Sequence, residues 1–175
     1  MQFNFSPFPV LITKRVILRQ VTNMDWKEVL FLRSDKKVNQ FVKRPLSKNK
    51  EDAEKFITRV TSGIKNNENL YWVITQKEND KMIGSISLWN FSADKKTGEV
   101  GYDLHPDFQR IGIMSEVLNQ ILQFGFEKLK LNKIEAYTQY NNKSSVQLLL
   151  KNNFKLIENK KDKDNEMNII FEINN

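Results

Sequence analysis

The feature that most constrains this chain is a change of apolar period on either side of His105-Pro106-Asp107. Before it, Glu99 to Leu104 alternates, with Val100, Tyr102 and Leu104 on one face and Glu99 and Asp103 on the other, which is the period of a half-buried strand. After it, Met114, Val117, Leu118, Ile121, Leu122 and Leu129 recur at helical spacing. Pro106 cannot donate to a ladder and pushes His105 out of the helical region, so the strand must stop there. A helix opening at Gly112 leaves its first N–H groups without intrahelical partners. Those donors and the positive end of the helix dipole favour an anion. Gly112 lets backbone approach a ligand closely, and Arg110 adds a mobile positive charge beside it. One glycine is equally compatible with a plain helix start, so both readings stand at this point.

Punctuation elsewhere is sparse, with 6 Gly and 4 Pro, and no repeat or low-complexity linker interrupts the chain. Val16 to Val21 reads as a first strand. Thr22 and Asp25 form a capping-box-like start for a helix through about Leu32. A second helix carries Ala53, Phe56, Ile57, Val60 and Ile64 on one stripe. Leu70 to Thr75 and Ile83 to Trp89 read as strands, joined to Glu99–Leu104 by a polar hairpin connection over Asn90 to Thr97. Lys133 to Tyr140 returns to strand, Ser144 to Lys151 is a short helix, and strands at Lys155–Glu158 and Asn168–Ile173 flank a charged loop. This order predicts a mixed α/β (α+β) fold, with residues 1–175 forming one domain.

Composition removes several chemistries. The chain has no cysteine, which excludes disulfides, thiolate metal sites and a Cys nucleophile. One histidine, His105, argues against a His-based metal site or a Ser-His-Asp triad, so no metal is expected. With 12 Phe and 3 Trp, a chain of 175 residues has material for a packed core. The formal net charge of +7 favours anionic ligands, either nucleic acid or a polyphosphate cofactor. The basic residues are interleaved with acidic ones rather than gathered into an arm. Met1 to Gln20 lacks a signal-peptide pattern and no window has the apolar length of a spanning helix, so a soluble cytoplasmic protein without membrane contact is expected.

The run Pro106-x-x-Gln109-x-x-Gly112-x-Met114-Ser115-Glu116 resembles the pyrophosphate-binding motif of the GNAT acetyltransferase superfamily, and in particular the branch of ribosomal-protein N-terminal acetyltransferases. Three further segments agree in order and spacing. Leu11-Ile12-Thr13-Lys14-Arg15-Val16-Ile17-Leu18-Arg19 resembles that branch's opening strand, Glu99-Val100-Gly101-Tyr102 its Glu-Ile-Gly-Tyr strand, and Asn142-Lys143-Ser144-Ser145 through Phe154 its Asn-x-x-Ser…Gly-Phe element. The sequence departs from the pattern at Met114, where many relatives have Gly or Ala, and at Arg110-Ile111, which shifts the basic side chain by one position. Asn153 replaces the Gly before Phe154, and asparagine tolerates the left-handed conformation.

The resemblance implies a single GNAT-like domain whose mostly antiparallel sheet splays near Leu104 to admit acetyl-CoA. It implies that Tyr102, Asp103 and Leu104 hold the pantetheine arm by backbone, that Gln109, Arg110, Ile111, Gly112, Ile113 and Met114 cradle the pyrophosphate, and that Asn142 hydrogen-bonds the pantetheine region. Glu99 matches the strand glutamate that accepts the amine proton, directly or through water, and Ser145 the serine that bonds the departing CoA thiolate. Locally, Glu99 could equally be a solvated strand carboxylate, Ser145 a first-turn residue, and Asn142 a helix cap. Many relatives carry a tyrosine general acid where this chain has Leu149. Tyr137 and Tyr140 are expected as packing or substrate-wall residues, and His105 as structural or exposed. The function implied is N-acetylation of a primary amine, a protein N-terminus being one acceptor. A polyamine, amino-sugar or antibiotic is a second, and a non-catalytic acyl-CoA or nucleic-acid-binding module the different-class alternative. Nucleic acid enters as partner only indirectly, through a ribosomal acceptor.

Overall fold

The apolar segments that alternate with period two pair into one sheet. The computed structural model describes residues 3–175. The elements run β1 (Leu11–Ile12), β2 (Val16–Gln20), a 3-10 turn (Asn23–Asp25), α1 (Trp26–Ser34), α2 (Lys50–Lys65), β3 (Leu70–Gln76), β4 (Asn79–Trp89) and β5 (Thr97–Leu104). After a 3-10 turn at Pro106–Phe108 come α3 (Ile113–Gln123), a π-helical turn (Phe124–Lys128), β6 (Lys133–Gln139), α4 (Lys143–Lys151), β7 (Lys155–Leu156) and β8 (Asn168–Asn174). Among the described residues the eight strands form one sheet in the order β1-β2-β3-β4-β5-β6-β8-β7. Every neighbouring pair is antiparallel except β5–β6. This is the mixed α/β fold that the element order predicts, with the mostly antiparallel sheet that the resemblance implies.

The parallel pair is short. β5 and β6 are in register only from Thr97–Lys133 to Val100–Ala136. Beyond Val100, β5 continues against β4 as far as Leu104, while β6 continues against β8 to Gln139. The strands therefore part in the middle of the sheet, and the gap falls nearer Val100 than the Leu104 expected from sequence.

Helices cover both faces. Tyr71 meets Phe56 of α2 edge-on at 5.4 Å, so α1 and α2 cover the face that carries Tyr71 and Val73. Trp72, fully buried, meets Phe124 at 5.6 Å, placing α3 and its π turn on the opposite face. A Cβ on Gly125 would lie 2.7 Å from Ile134 Cδ1, so the backbone after α3 must run close against β6. There the Leu129 N–H bonds to the Phe124 carbonyl five residues back at 3.1 Å, so one continuous helix through Leu129, as the apolar period predicts, is interrupted. The sequence pattern also placed the start of β4 at Ile83, whereas the strand opens at Asn79; Asn79 to Lys81 are exposed and carry no apolar signal. Among the described residues no helix is long and apolar enough to cross a membrane.

The chain's entry into α1 is held by a buried ion pair. Thr22 N–H donates to Asp25 Oδ2 at 2.8 Å, the Met24 N–H donates to Thr22 Oγ1 at 3.3 Å, and Arg19 forks onto both Asp25 oxygens at 2.9 and 2.8 Å. Asp25 is only 4% exposed. Removing one partner of such a pair strands the other charge. Asp25→Ala should lower unfolding stability by about 3 kcal/mol in urea titrations; a loss under about 1 kcal/mol would mean that Asp80 suffices to hold Arg19.

Candidate active site

The turn between β5 and α3 is built to leave donors free. The His105 N–H closes onto the Ile83 carbonyl at 2.8 Å and ends the β4–β5 ladder. His105 Nδ1 then accepts the Asp107 N–H at 3.2 Å and caps the 3-10 turn, while its ring stacks on Phe31 at 4.5 Å. That is a structural role. Gln109 spends its side-chain amide on the Leu104 carbonyl at 2.9 Å. Arg110 (φ +63°) and Gly112 (φ +82°) are both left-handed, and Gly112 caps α3. Alternation of handedness turns successive N–H groups toward one side, the concavity that binds anions. Among the described residues, the N–H groups of Arg110, Ile111, Gly112, Ile113, Met114 and Ser115 have no protein acceptor. Met114 is 8% exposed, so its side chain belongs to the core and only its backbone faces the turn.

Arg15 lies beside this turn, a residue that sequence spacing could not place there. Its Nη1 donates to the Ile111 carbonyl at 2.7 Å and its Nη2 stands 3.4 Å from where a Gly112 Cβ would be. Its Nε and backbone N–H both donate to the Glu116 carboxylate, at 2.7 and 2.8 Å. Burial pushes the Glu116 carboxyl up, but the hydrogen bonds from Thr13 and Arg15 outweigh it and hold it at about 2. Glu116 thus remains an anion at the helix start, where the dipole favours it, and ties the β1–β2 turn to α3.

Backbone alternation decides which part of β5 faces the gap. The His105 N–H points at β4, and so does the Gly101 carbonyl, which accepts from Ser87 Oγ at 3.3 Å. The peptide groups of Tyr102 and Leu104 therefore point the other way, into the space from which β6 has departed. Asp103 differs from its two neighbours. Its peptide faces β4, and its carboxylate accepts from Ser85 Oγ at 2.5 Å and Arg44 Nη2 at 3.2 Å on the α1–α2 face.

The gap joins two chemical environments. On the α3–α4 face the Tyr102 and Ser145 hydroxyls are 2.8 Å apart. Burial pushes the Tyr102 phenol up to about 12, so it stays protonated in neutral solution. Asn142 Oδ1 accepts the Ser145 N–H at 3.2 Å, the helix-cap geometry, which holds Ser145 at the first turn of α4. Leu149 is fully buried, so no acid reaches the gap from that position of α4. On the opposite face Glu99 lies beside Glu135 of β6 and accepts the Asn90 amide at 3.0 Å. Burial raises the Glu99 carboxyl above the ordinary range, with the negative charges of Asp162 and Glu135 adding to it and Asn90 opposing. Glu135 goes the other way: burial would raise it, but Lys160 and Lys133 bind it and keep it ionised. The Tyr137 hydroxyl also donates to Glu135, at 3.2 Å. One carboxylate of the pair is thus neutralised by lysines and the other left poised to take a proton.

Asn153 takes φ +65°, so asparagine does adopt the left-handed turn before Phe154. Among the described residues no cluster of three His, Cys, Asp or Glu groups stands ready for a metal.

A sheet parted at a parallel junction stands beside a helix start with unpaired donors, an arrangement suited to an extended anionic ligand. Residues 15–155 match the acetyltransferase (GNAT) domain model, and the chain belongs to that family of N-acetyltransferases. It is similar to the uncharacterized N-acetyltransferase YoaA of Bacillus subtilis (strain 168), 29% identical over 84% of this chain and 83% of the relative. The fold superposes on ribosomal-protein-S5-alanine acetyltransferase from Vibrio fischeri with TM-score 0.82 at 20% identity, covering 95% of this chain and 97% of that one. It also superposes on the microcin C7 self-immunity acetyltransferase MccE, solved with acetyl-CoA and AMP, with TM-score 0.79 at 22% identity over 92% and 93% of the two chains.

The depressed Glu116 carboxyl carries a pH signature. The stability it contributes is fully present above the ordinary carboxylate value and is lost as pH falls toward about 2. The difference in unfolding free energy between wild type and Glu116→Gln should be constant from pH 7 to 5 and shrink steadily below. A difference that does not change down to pH 2 would mean that the Arg15–Glu116 contact does not persist in solution.

Proposed function

We propose that this N-acetyltransferase draws its acetyl group from acetyl-CoA and passes it to a primary amine, a protein N-terminus being a leading acceptor, with residues 1–175 working as one catalytic unit. The observation that carries the reading is the run of unpartnered N–H groups from Arg110 to Ser115, set where β5 and β6 part. A diphosphate fits those donors: it is anionic, it needs several acceptors for N–H groups, and the left-handed Gly112 leaves room for it. Acetyl-CoA supplies an acyl carbon activated as a thioester.

The residues then divide the work. Backbone N–H groups of Arg110 to Ser115 hold the diphosphate, with Arg15 and Arg110 adding positive charge, while the Gln109 N–H, expected from sequence to join them, is spent on the Pro106 carbonyl at 3.1 Å. The Tyr102 and Leu104 peptides offer strand-type hydrogen bonds to the amides of the pantetheine arm, aligning it along the free edge of β5. Asp103 contributes through Arg44 and Ser85 rather than through its own peptide. Asn142 fixes the first turn of α4 and keeps its amide N–H groups for the arm. Ser145 donates a hydrogen bond to the sulfur as it leaves as a thiolate. On the far face Glu99, with its raised proton affinity, takes the proton that the attacking amine must lose, directly or through one water.

Four outcomes check this reading. Acetyl-CoA at 100 times its Kd should stabilise the protein by about 2.7 kcal/mol, read as a thermal shift; no shift with acetyl-CoA or CoA sinks the donor assignment. Gly112→Glu puts bulk and negative charge against the diphosphate and should abolish the shift. Ser145→Ala should lower kcat by about tenfold or more with Kd for acetyl-CoA nearly unchanged. Glu99→Gln should lower kcat/KM by about a hundredfold and flatten the rise in rate as pH climbs through the Glu99 titration; a variant that keeps the wild-type pH profile removes Glu99 from proton transfer.

A further inference from the structure

The α1–α2 face holds more positive charge than its own carboxylates balance. Arg33 closes α1, Arg44 lies in the connection between α1 and α2, and Arg59 projects from α2. The Arg33 guanidinium sits 3.9 Å from the centre of the Phe56 ring, and that of Arg59 lies 5.2 Å from the same ring. Arg44 is held from behind by the Leu32 carbonyl at 3.1 Å and Asn39 Oδ1 at 2.8 Å. The carboxylate that answers these three cations is Asp103, which reaches only Arg44 and is already bonded to Ser85. Among the described residues Arg33 Nε is buried without a hydrogen-bond partner. Burial, reinforced by the charge of Arg44, lowers the Arg33 proton affinity to about 10, the sign of a cation short of anionic company.

A buried, unpaired guanidinium N–H is costly, and Arg33 is repelled by both Arg44 and Arg59 with Asp103 the carboxylate beside it. The arrangement makes sense if an anion completes it. From this we infer that Arg33, Arg44 and Arg59 form a subsite for an anionic group, carboxylate or phosphate, on the acceptor, displaced along β5 from the amine that reacts near Glu99. The inference rests on the transferase reading, because the amine end is placed by the role given to Glu99.

The strand sets the spacing. Glu99 and Asp103 lie on the same face four residues apart, with no register shift against β4, so the two ends of the acceptor are separated by about 13 Å. An α-amino acid is far too short. An extended peptide reaches that far with an acidic side chain at about its fourth residue, and a long amine-bearing phosphate spans the same distance. The acidic environment of Glu99, Glu135 and Asp162 suits the ammonium end, and the arginines suit the other. The site therefore selects a dipolar acceptor and disfavours a polyamine, whose second cation would meet Arg44.

The test uses full-length protein saturated with CoA, so that the donor's anion site is filled. The probes are free-amino pentapeptides Ala-Ala-Ala-Xaa-Ala, with Xaa as Glu, phosphoserine or Gln, and an aminoalkyl phosphate of matched length. Calorimetry should give the anionic probes an affinity about tenfold above the Gln peptide. Arg44→Gln and, separately, Arg33→Gln should erase that preference. Arg33→Gln keeps the test valid if Arg44→Gln unfolds, since Arg33 Nε has no hydrogen bond to lose. A preference of the peptide arm over the aminoalkyl phosphate assigns the source to a protein terminus, and the reverse to a small molecule. Equal affinity for charged and neutral probes, a preference that survives in the arginine variants, or no binding of any probe at millimolar concentration overturns the proposal. Release of CoA thiol from acetyl-CoA, followed in parallel, separates the two readings: arginine-dependent binding without acetyl transfer leaves the subsite standing and sinks the transferase assignment.

Discussion

The parting of β5 from β6 is the constraint on which the rest of the molecule depends. Among the described residues β5–β6 is the one parallel junction of this sheet, and α3 and its π turn lie between the two strands in sequence. Once the strands diverge past Val100 and Ala136, two edges of unpaired peptide groups are created inside the sheet rather than at its rim. Buried peptide groups demand partners. Gln109 supplies one, capping the Leu104 carbonyl with its side chain, and so keeps the far end of the gap ordered. The helix start then turns its own unpaired donors toward the same opening. A gap in a ladder and a bare helix terminus are each unfavourable alone. Placed together they make a continuous line of donors and acceptors that an extended, phosphate-ended molecule satisfies.

Much of this was legible in the sequence because it is carried by local rules. The strand period to Leu104, the stop at Pro106 and the helical period after Gly112 placed the turn to within a residue. The capping residues Thr22 and Asp25 marked the entry to α1 correctly, and Asn142 proved to be a helix cap whatever else it does. The gap itself was legible only through resemblance, since nothing in Glu99–Leu104 says which edge of that strand lacks a neighbour. Arg15 was invisible as part of the turn: it lies 96 residues from Ile111 in sequence, and only the fold brings them together. The π turn was hidden for another reason. Leu129 keeps the helical period of α3, and the cause of the interruption, contact of Gly125 with Ile134 and Leu131, is tertiary. Asp103 shows the limit of carrying a motif over residue by residue. It sits between two residues whose peptides face the gap, yet strand alternation turns its own peptide away.

Charge is partitioned rather than simply positive. The +7 of the chain as a whole suits a polyphosphate ligand, but the surroundings of Glu99, with Glu135 and Asp162, are locally acidic. Glu135 is buried and ionised because Lys133 and Lys160 neutralise it, and by standing next to Glu99 it helps to raise the proton affinity of Glu99. The lysines keep two adjacent carboxylates from destabilising the sheet, while burial raises the proton affinity of Glu99 against the opposing charge of Lys160. Lys160 also anchors the loop before β8, and Lys43 reaches the Asp164 carbonyl of the same loop at 2.8 Å, so the connection after α1 and the loop before β8 close together around that acidic patch.

The donor and acceptor halves of the cleft are recognised by different means, and this explains why one is far easier to read than the other. The donor side is gripped by peptide groups, and a peptide group is the same whichever side chain it bears. Met114 can therefore stand where a smaller residue is common, its side chain packed into the core and its N–H unaffected, and Arg110 can carry the basic charge one position early. What the donor side does require is conformation, and conformation is fixed by few residues: a proline to end the strand, and left-handed turns at Arg110 and Gly112. The acceptor side is the reverse. In the proposed acceptor half, Glu99, Arg33 and Arg44 are assigned side-chain roles and come from three separate stretches of chain, so no local pattern announces them. On this proposal, substitution there alters the acceptor while leaving the backbone grip on the donor intact, a physical reason for one fold to serve many acceptors with a single donor.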